Sequence, residues 1–181
     1  MRPVSLLLVA VFLMVGCRQP DGLPASEPAS PVPETMTKAH QVAWDIMSEA
    51  SLLTLITLDS EGQPQARILE SLAPDSGQFD VWMGTNVNSA KVGEIQQNPR
   101  ATVFYQIPGG SGYVTLRGQA QIVDDPVLKE QYWRPHWEAF YPDPDEMYVL
   151  IHFTPINGEV VSFAHGLTGD SLTWAAPEFG F

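Results

Sequence analysis

The strongest constraint on this chain is a succession of short strand-like runs, each closed by a turn signal, between residues 52 and 163. The runs 52–58, 65–72, 79–84, 101–107, 113–123, 147–153 and 159–163 are rich in β-branched, Leu and aromatic residues, the side chains that fit a pleated surface. Between them stand Asp59-Ser60-Glu61-Gly62, Pro74-Asp75-Ser76-Gly77, Pro108-Gly109-Gly110-Ser111-Gly112 and Pro155-Ile156-Asn157-Gly158, where Gly and Pro supply turn geometry. Three helical patterns interrupt the strands. Val42, Ala43, Ile46, Met47 and Ala50 recur at helical spacing after Thr37, a good N-cap. Residues 89–97 turn Val92 and Ile95 to one side and stop at Asn98-Pro99. Asp125 opens a further helix with Pro126 at its first position. Seven short strands with inserted helices predict a mainly β chain, an antiparallel β-barrel rather than a doubly wound sheet.

The segment before residue 37 has a different character. Residues 3–15 form an apolar run after Met1-Arg2, shorter than the roughly 20 residues that span a bilayer but suited to a secretory signal. Leu13-Met14-Val15-Gly16-Cys17 resembles a bacterial lipobox, with Met14 where Leu is usual. That resemblance implies a signal peptide over 1–16, lipidation of Cys17 and a membrane anchor through it. Arg18, rather than an acid, follows the cysteine. The expected location is therefore the cell envelope, on the periplasmic side of an outer membrane where the cell has one. Residues 17–36 are rich in Pro, Ala, Ser and Glu without apolar periodicity and read as a tether. The folded domain is expected over 37–181.

Charge and cysteine content exclude other classes. Nine Lys and Arg stand against 21 Asp and Glu, a formal net charge of −12, and the basic residues are scattered singly, so nucleic acid is not an expected partner. One cysteine permits neither an intrachain disulfide nor a Cys₂ or Cys₄ zinc site. His40, His136, His152 and His165 lack metal-ligand spacing, and no metal site is expected. Asp143, Asp145 and Glu146 read as a solvated turn. Ser89 and Lys91 are expected to diverge on a helix, which argues against a nucleophilic dyad. No catalytic residue stands out.

The informative stretch runs from Arg67 to Tyr105. Arg67-Ile68-Leu69 lies on one strand, while Gly84-Thr85-Asn86-Val87-Asn88-Ser89-Ala90-Lys91 leads from the next into a helix. Hydroxyls, backbone N–H groups and a lysine at a helix start suit an anionic phosphate, and Arg67 adds a bidentate donor. Thr85-Asn86-Val87-Asn88-Ser89-Ala90-Lys91, followed by Asn98-Pro99-Arg100, resembles the phosphate segment of the pyridoxamine 5′-phosphate oxidase-like split-barrel flavoproteins. Trp133-Arg134-Pro135-His136-Trp137 through Pro142 is similar to the tryptophan- and proline-rich insert of their general-stress-protein branch.

The resemblance implies an antiparallel Greek-key split barrel that binds flavin mononucleotide (FMN), a homodimer with flavin at its seam, and an oxidoreductase of unassigned substrate. It implies FMN contacts at Arg67, Ile68, Leu69, Gly84, Thr85, Ser89 and Lys91. Tyr105, Tyr113 and the aromatic insert are the expected seam. The chain departs from the family at Leu72, where a lysine is usual, and at Ala90, where the oxidases carry arginine; no arginine follows Arg134. A non-catalytic module holding flavin or another ring ligand, including a deazaflavin or haem relative, is the alternative. The insert itself reads equally as a satellite core or as cover for a flavin ring.

Overall fold

The computed structural model describes residues 36–75 and 77–181; the expected signal peptide, Cys17 and most of the tether lie outside them. Helix α1 (Lys38–Glu49) starts at Thr37, whose side chain accepts from the backbone N–H of His40 while the His40 ring accepts from the backbone N–H of Thr37. This reciprocal cap satisfies two donors that a helix start leaves open. The buried face carries Val42, Ala43, Ile46 and Met47, as the spacing predicts.

The strands are β1 (Leu52–Leu58), β2 (Pro64–Glu70), β3 (Val81–Asn86), β4 (Arg100–Gln106), β5 (Gly112–Val123), β6 (Tyr148–Ser162) and β7 (Glu178–Gly180). Helix α2 (Ala90–Gln97) joins β3 to β4. Helices α3 (Pro126–Tyr132) and α4 (Pro144–Met147), with a 3₁₀ turn at Pro135–Ala139 between them, join β5 to β6. Every pairing is antiparallel, in the order β2-β1-β4-β5-β6-β3, with β7 on β6. The two ends of this path, β2 and β3, approach each other without sharing a ladder. The result is the split barrel.

Alternation decides which side chains enter the barrel. Leu53 and Leu55 of β1, Val81 and Met83 of β3, Val103 and Tyr105 of β4, Val114 and Leu116 of β5, and Ile151 and Phe153 of β6 share one core with the α1 face. Burying an aliphatic side chain of this size stabilises by roughly 1.5–3 kcal/mol, so this core dominates the fold. Tyr105 is 0% exposed. Its ring therefore serves the barrel interior and not the expected dimer seam. Tyr113 lies on the opposite face, stacked on Phe104 with ring centroids 5.7 Å apart.

Three boundaries differ from the sequence reading. The runs at 147–153 and 159–163 form a single strand, β6, because the Pro155–Gly158 segment is a bulge and not a turn. Gly118 pairs with Pro155 and Arg117 with Asn157, which leaves Ile156 as the extra, exposed residue. A bulge accepts a proline that a regular ladder refuses. Gly118 permits the close approach, since a Cβ there would stand 2.1 Å from the Thr154 carbonyl oxygen. Strand β3 covers 81–86 instead of 79–84, which moves Thr85 out of the connecting loop and onto a strand. Strand β2 ends at Glu70, and β7 was not foreseen; the His40 ring reaches the Gly180 carbonyl at 3.0 Å and ties it to α1.

Candidate functional site

At the split, four elements bring polar side chains together. Alternation turns Thr57 of β1 and Thr85 of β3 inward, and both are buried. Arg67 stands across from Leu55 in the β1–β2 ladder. Helix α2 closes the gap with Lys91 and Glu94, one turn apart, and Ser89 is its N-cap. Arg67 Nη1 lies 2.9 Å from Glu94 Oε2, and Nη2 donates to Glu94 Oε1 at 3.3 Å. Thr57 Oγ1 accepts from Arg67 Nη1 and donates to Glu94 Oε2. Lys91 Nζ donates to Thr85 Oγ1 at 2.9 Å, and the Ser89 and Thr85 hydroxyls are 3.2 Å apart.

Burial, and then the nearby Arg67 charge, lower the pKa of Lys91 below the ordinary lysine value, with Glu94 partly opposing them. A half-buried ammonium beside a guanidinium is an electrostatically loaded arrangement, and an anion relieves it. The donor set is a planar fork, an ammonium and two hydroxyls. That donor chemistry suits a phosphate group, and Arg67, Lys91, Thr85 and Ser89 are the residues that would hold one.

The structure divides the seven residues implied for the cofactor. Arg67, Thr85, Ser89 and Lys91 converge. Ile68 is turned outward and is 68% exposed, in an open groove of about 700 Å³ that it lines with Leu52, Phe104 and His165. Leu69 packs against the barrel core. Gly84 lies beneath the aromatic insert: a Cβ there would stand 2.6 Å from Trp137 Cζ3 and 2.9 Å from Tyr148 Cε2. Its missing side chain makes room for those rings, so packing on the outer face explains that glycine.

Two further corrections concern the cluster. Ser89 and Lys91 do not diverge; both reach the Thr85 hydroxyl, because Ser89 is an extended N-cap and not a helical residue. Thr57 and Glu94 were missed. Thr57 had a faint signal, an inward hydroxyl in the otherwise apolar register of β1, whereas Glu94 had none beyond lying one turn after Lys91.

The aromatic insert forms a second core on the outside of the barrel. Leu72, Trp137, Tyr148 and Leu150 are buried together, with Trp133 and Tyr141 packed against them. Leu72, which replaces the family's usual lysine, belongs here. Glu70 at the end of β2 fastens the insert: Trp137 Nε1 donates to Glu70 Oε2 at 2.7 Å, and His136 Nε2 lies 2.8 Å from the same oxygen. Partial burial opposes the ionised form of Glu70, but these two contacts outweigh it and lower its pKa.

Known proteins share this fold and part of this sequence. A pyridoxine/pyridoxamine 5′-phosphate oxidase of Pseudomonas putida strain W619 is 31% identical over 86 residues, 48% of this chain and 39% of the relative. The match thus spans well under half of that curated protein. Among solved structures, a protein from Clostridium acetobutylicum related to general stress protein 26 of B. subtilis superposes with a TM-score of 0.62 at 20% identity, over 76% of this chain and 90% of that one. A heme binding protein from Mycobacterium smegmatis gives 0.61 at 16% identity, over 81% and 59%. At such identities the likeness is one of fold. The sequence profile described as "Pyridoxamine 5'-phosphate oxidase like" matches residues 38–171, nearly the whole described barrel, and the chain belongs to that family.

Proposed function

We propose that the chain holds FMN by its phosphate at the Arg67–Lys91 cluster and acts as a flavin-dependent oxidoreductase. The observation that carries this reading is the hydrogen-bonded group of Lys91, Thr85 and Ser89 from β3 and the start of α2, with Arg67 of β2 near enough for its charge to act on Lys91. In a chain of net charge −12, an anion needs concentrated local positive potential. Bound flavin supplies the electron transfer; the protein supplies the anchor and the surroundings. Arg67 presents a fork for two phosphate oxygens, Lys91 adds a charge, and the two hydroxyls orient what the cations attract.

The relatives' substrate is not carried over. No arginine follows Arg134, so a second phosphate-bearing molecule lacks the matching guanidinium, while Ala90, where those oxidases have arginine, weakens the grip on the cofactor phosphate itself. A specific observation also favours a second reading, a flavin-holding module without turnover. The carboxylate of the cluster, Glu94, is committed to Arg67 and Thr57, which leaves the cluster no carboxylate poised for proton transfer.

Flavin fluorescence titration of the full chain tests the anchor. Each charge-assisted contact contributes roughly 1.5–3 kcal/mol, so Arg67→Ala and Lys91→Ala should each weaken FMN by about one to two orders of magnitude. Riboflavin, which lacks the phosphate, should respond far less. If both variants keep parental FMN affinity, the phosphate is held elsewhere and the proposal fails. Turnover with reductants then separates enzyme from module.

A further inference from the structure

The most exposed large apolar side chains lie away from the Arg67–Lys91 cluster, on the loop between β6 and β7. Leu172 is 89% exposed and Trp174 84%, and Phe163, just past the end of β6, is exposed as well. Trp174 and Phe163 line one open groove of about 330 Å³, and Leu172 stands two residues before the indole. The loop that carries them has a fixed shape. The backbone N–H of Asp170 donates to the Ala175 carbonyl at 2.9 Å, and that of Trp174 donates to the Asp170 carbonyl at 2.8 Å. Asp170 Oδ1 accepts from the backbone N–H groups of Leu172 and Thr173 and from the Thr173 hydroxyl. Trp174 has a φ of 60°, the only non-glycine residue at positive φ among the described residues. That backbone is unfavourable for a bulky side chain and persists only where its surroundings impose it. Here they impose it on an indole that is left in water.

We propose that this loop seats the barrel on a zwitterionic phospholipid surface, with Trp174 and Leu172 in the interfacial layer. An indole pairs an apolar ring with a polar N–H and suits the headgroup level, while leucine suits the acyl boundary beneath it. Three side chains are too few for a stable protein interface, which takes about 20–30 residues a side. A lipid surface sets no such minimum, because binding there scales with the apolar area inserted. Proximity supplies the rest. A tether over 17–36 reaches roughly 25 Å from a lipidated Cys17, so a weak contact suffices at the resulting effective concentration. The net charge of −12, with Asp170 at the base of the loop, opposes an anionic surface. Flavin plays no part in this contact; the Cys17 reading enters only as the source of proximity.

The test reconstitutes the full chain into phosphatidylcholine vesicles whose acyl chains carry bromine near the headgroups, and reads tryptophan emission. Residues 1–36 contain no tryptophan, so the emission comes from the barrel. The difference between parent and Trp174→Phe isolates Trp174 and leaves a ring in the interface. Bromine should quench the parent and leave Trp174→Phe bright, and acrylamide in the water should reach Trp174 poorly. Leu172→Asp, a change at an exposed position that retains the reporter, should lower the ratio of docked to free barrel by about tenfold. Mixing in phosphatidylglycerol should reduce the quenching of the parent at low salt.

A parent quenched no more than Trp174→Phe overturns the proposal, and that comparison needs no change at Leu172. So does a folded Leu172→Asp quenched as fully as the parent, or quenching that rises with phosphatidylglycerol. A Trp174 that acrylamide cannot reach and bromine does not quench is covered by another copy of the chain, which overturns the proposal as well.

Discussion

Two carboxylates on different elements meet strand β2 three positions apart, Glu94 of α2 at Arg67 and Glu70 on the strand itself, and they do opposite work. At the middle of the strand, Glu94 faces Arg67 in a cluster of cations and hydroxyls. At the outer end, Glu70 accepts from Trp137 and contacts His136 at the margin of an aromatic core. The outer contact orients a side chain whose stabilisation comes from buried area. The inner contact stabilises little by itself, because removing two charges from water costs about what their attraction returns. What it does is hold a guanidinium close to the Lys91 ammonium. Similar chemistry therefore borders a packed aromatic core in one region and gathers a charged cluster in the other.

The comparison is broken most severely at Trp137. Its ring is buried against Gly84, Tyr148, Trp133 and Tyr141. Truncating a buried tryptophan typically costs about 3–5 kcal/mol. Trp137→Ala should therefore lower the midpoint of urea denaturation by a corresponding amount, with loss of near-ultraviolet dichroism from the insert. If the two regions are independent, variant protein that remains folded keeps the parental response to inorganic phosphate. A parallel loss of phosphate binding would show that the insert supports the seat as well.

Gly84→Ala probes the same packing from the strand side. The added methyl meets two ring atoms of Trp137 at 2.6 and 2.7 Å and one of Tyr148 at 2.9 Å. The rings are held by their own neighbours, so they cannot swing clear. Overpacking of this kind costs about 1–3 kcal/mol, readable as a drop in thermal midpoint. Pairing it with Trp137→Leu sharpens the point: the smaller side chain should make room for the methyl, so the double variant should be less destabilised than the two single effects added together.

These residues also mark how far sequence reasoning reached. Strand β1 was placed at its observed limits because alternation and a Gly-containing turn agree there. Arg67, Thr85, Ser89 and Lys91, which the structure places at the split, were singled out because they sit in two short segments whose local pattern is distinctive. Strand β6 was split in two because Pro155-Ile156-Asn157-Gly158 has the composition of a turn, and only its ladder with β5 makes it a bulge. Strand β7 has three residues and no period to detect. Glu94 joins Arg67 across 27 positions and Glu70 joins Trp137 across 67. Such partners are set by strand register and helix placement, which no local window contains. The insert's packing over Gly84 was out of reach for the same reason: it appears only when Trp137 lies over that residue.

The smallest expected effect concerns the charge on Glu70. Its pKa is lowered by the hydrogen bonds from Trp137 and His136 despite opposition from partial burial. A carboxyl with a depressed folded value contributes stability that is present above the unfolded value, near 4.5. That contribution is lost as pH falls through the lower folded value. Glu70 is 36% exposed and His136 59%, so screening by water keeps the contribution under about 1 kcal/mol. Glu70→Gln retains an acceptor for the Trp137 indole N–H but carries no charge. Stability of the parent should therefore fall more steeply than that of Glu70→Gln as pH drops below about 4.5, and the two curves should converge once the parental carboxyl is protonated. Tryptophan emission followed along the same titration should report the loosening of the insert in the parent. Parallel curves for parent and variant across that window would mean that the indole hydrogen bond alone fastens the insert, and that the carboxylate charge at the outer end of β2 plays no part.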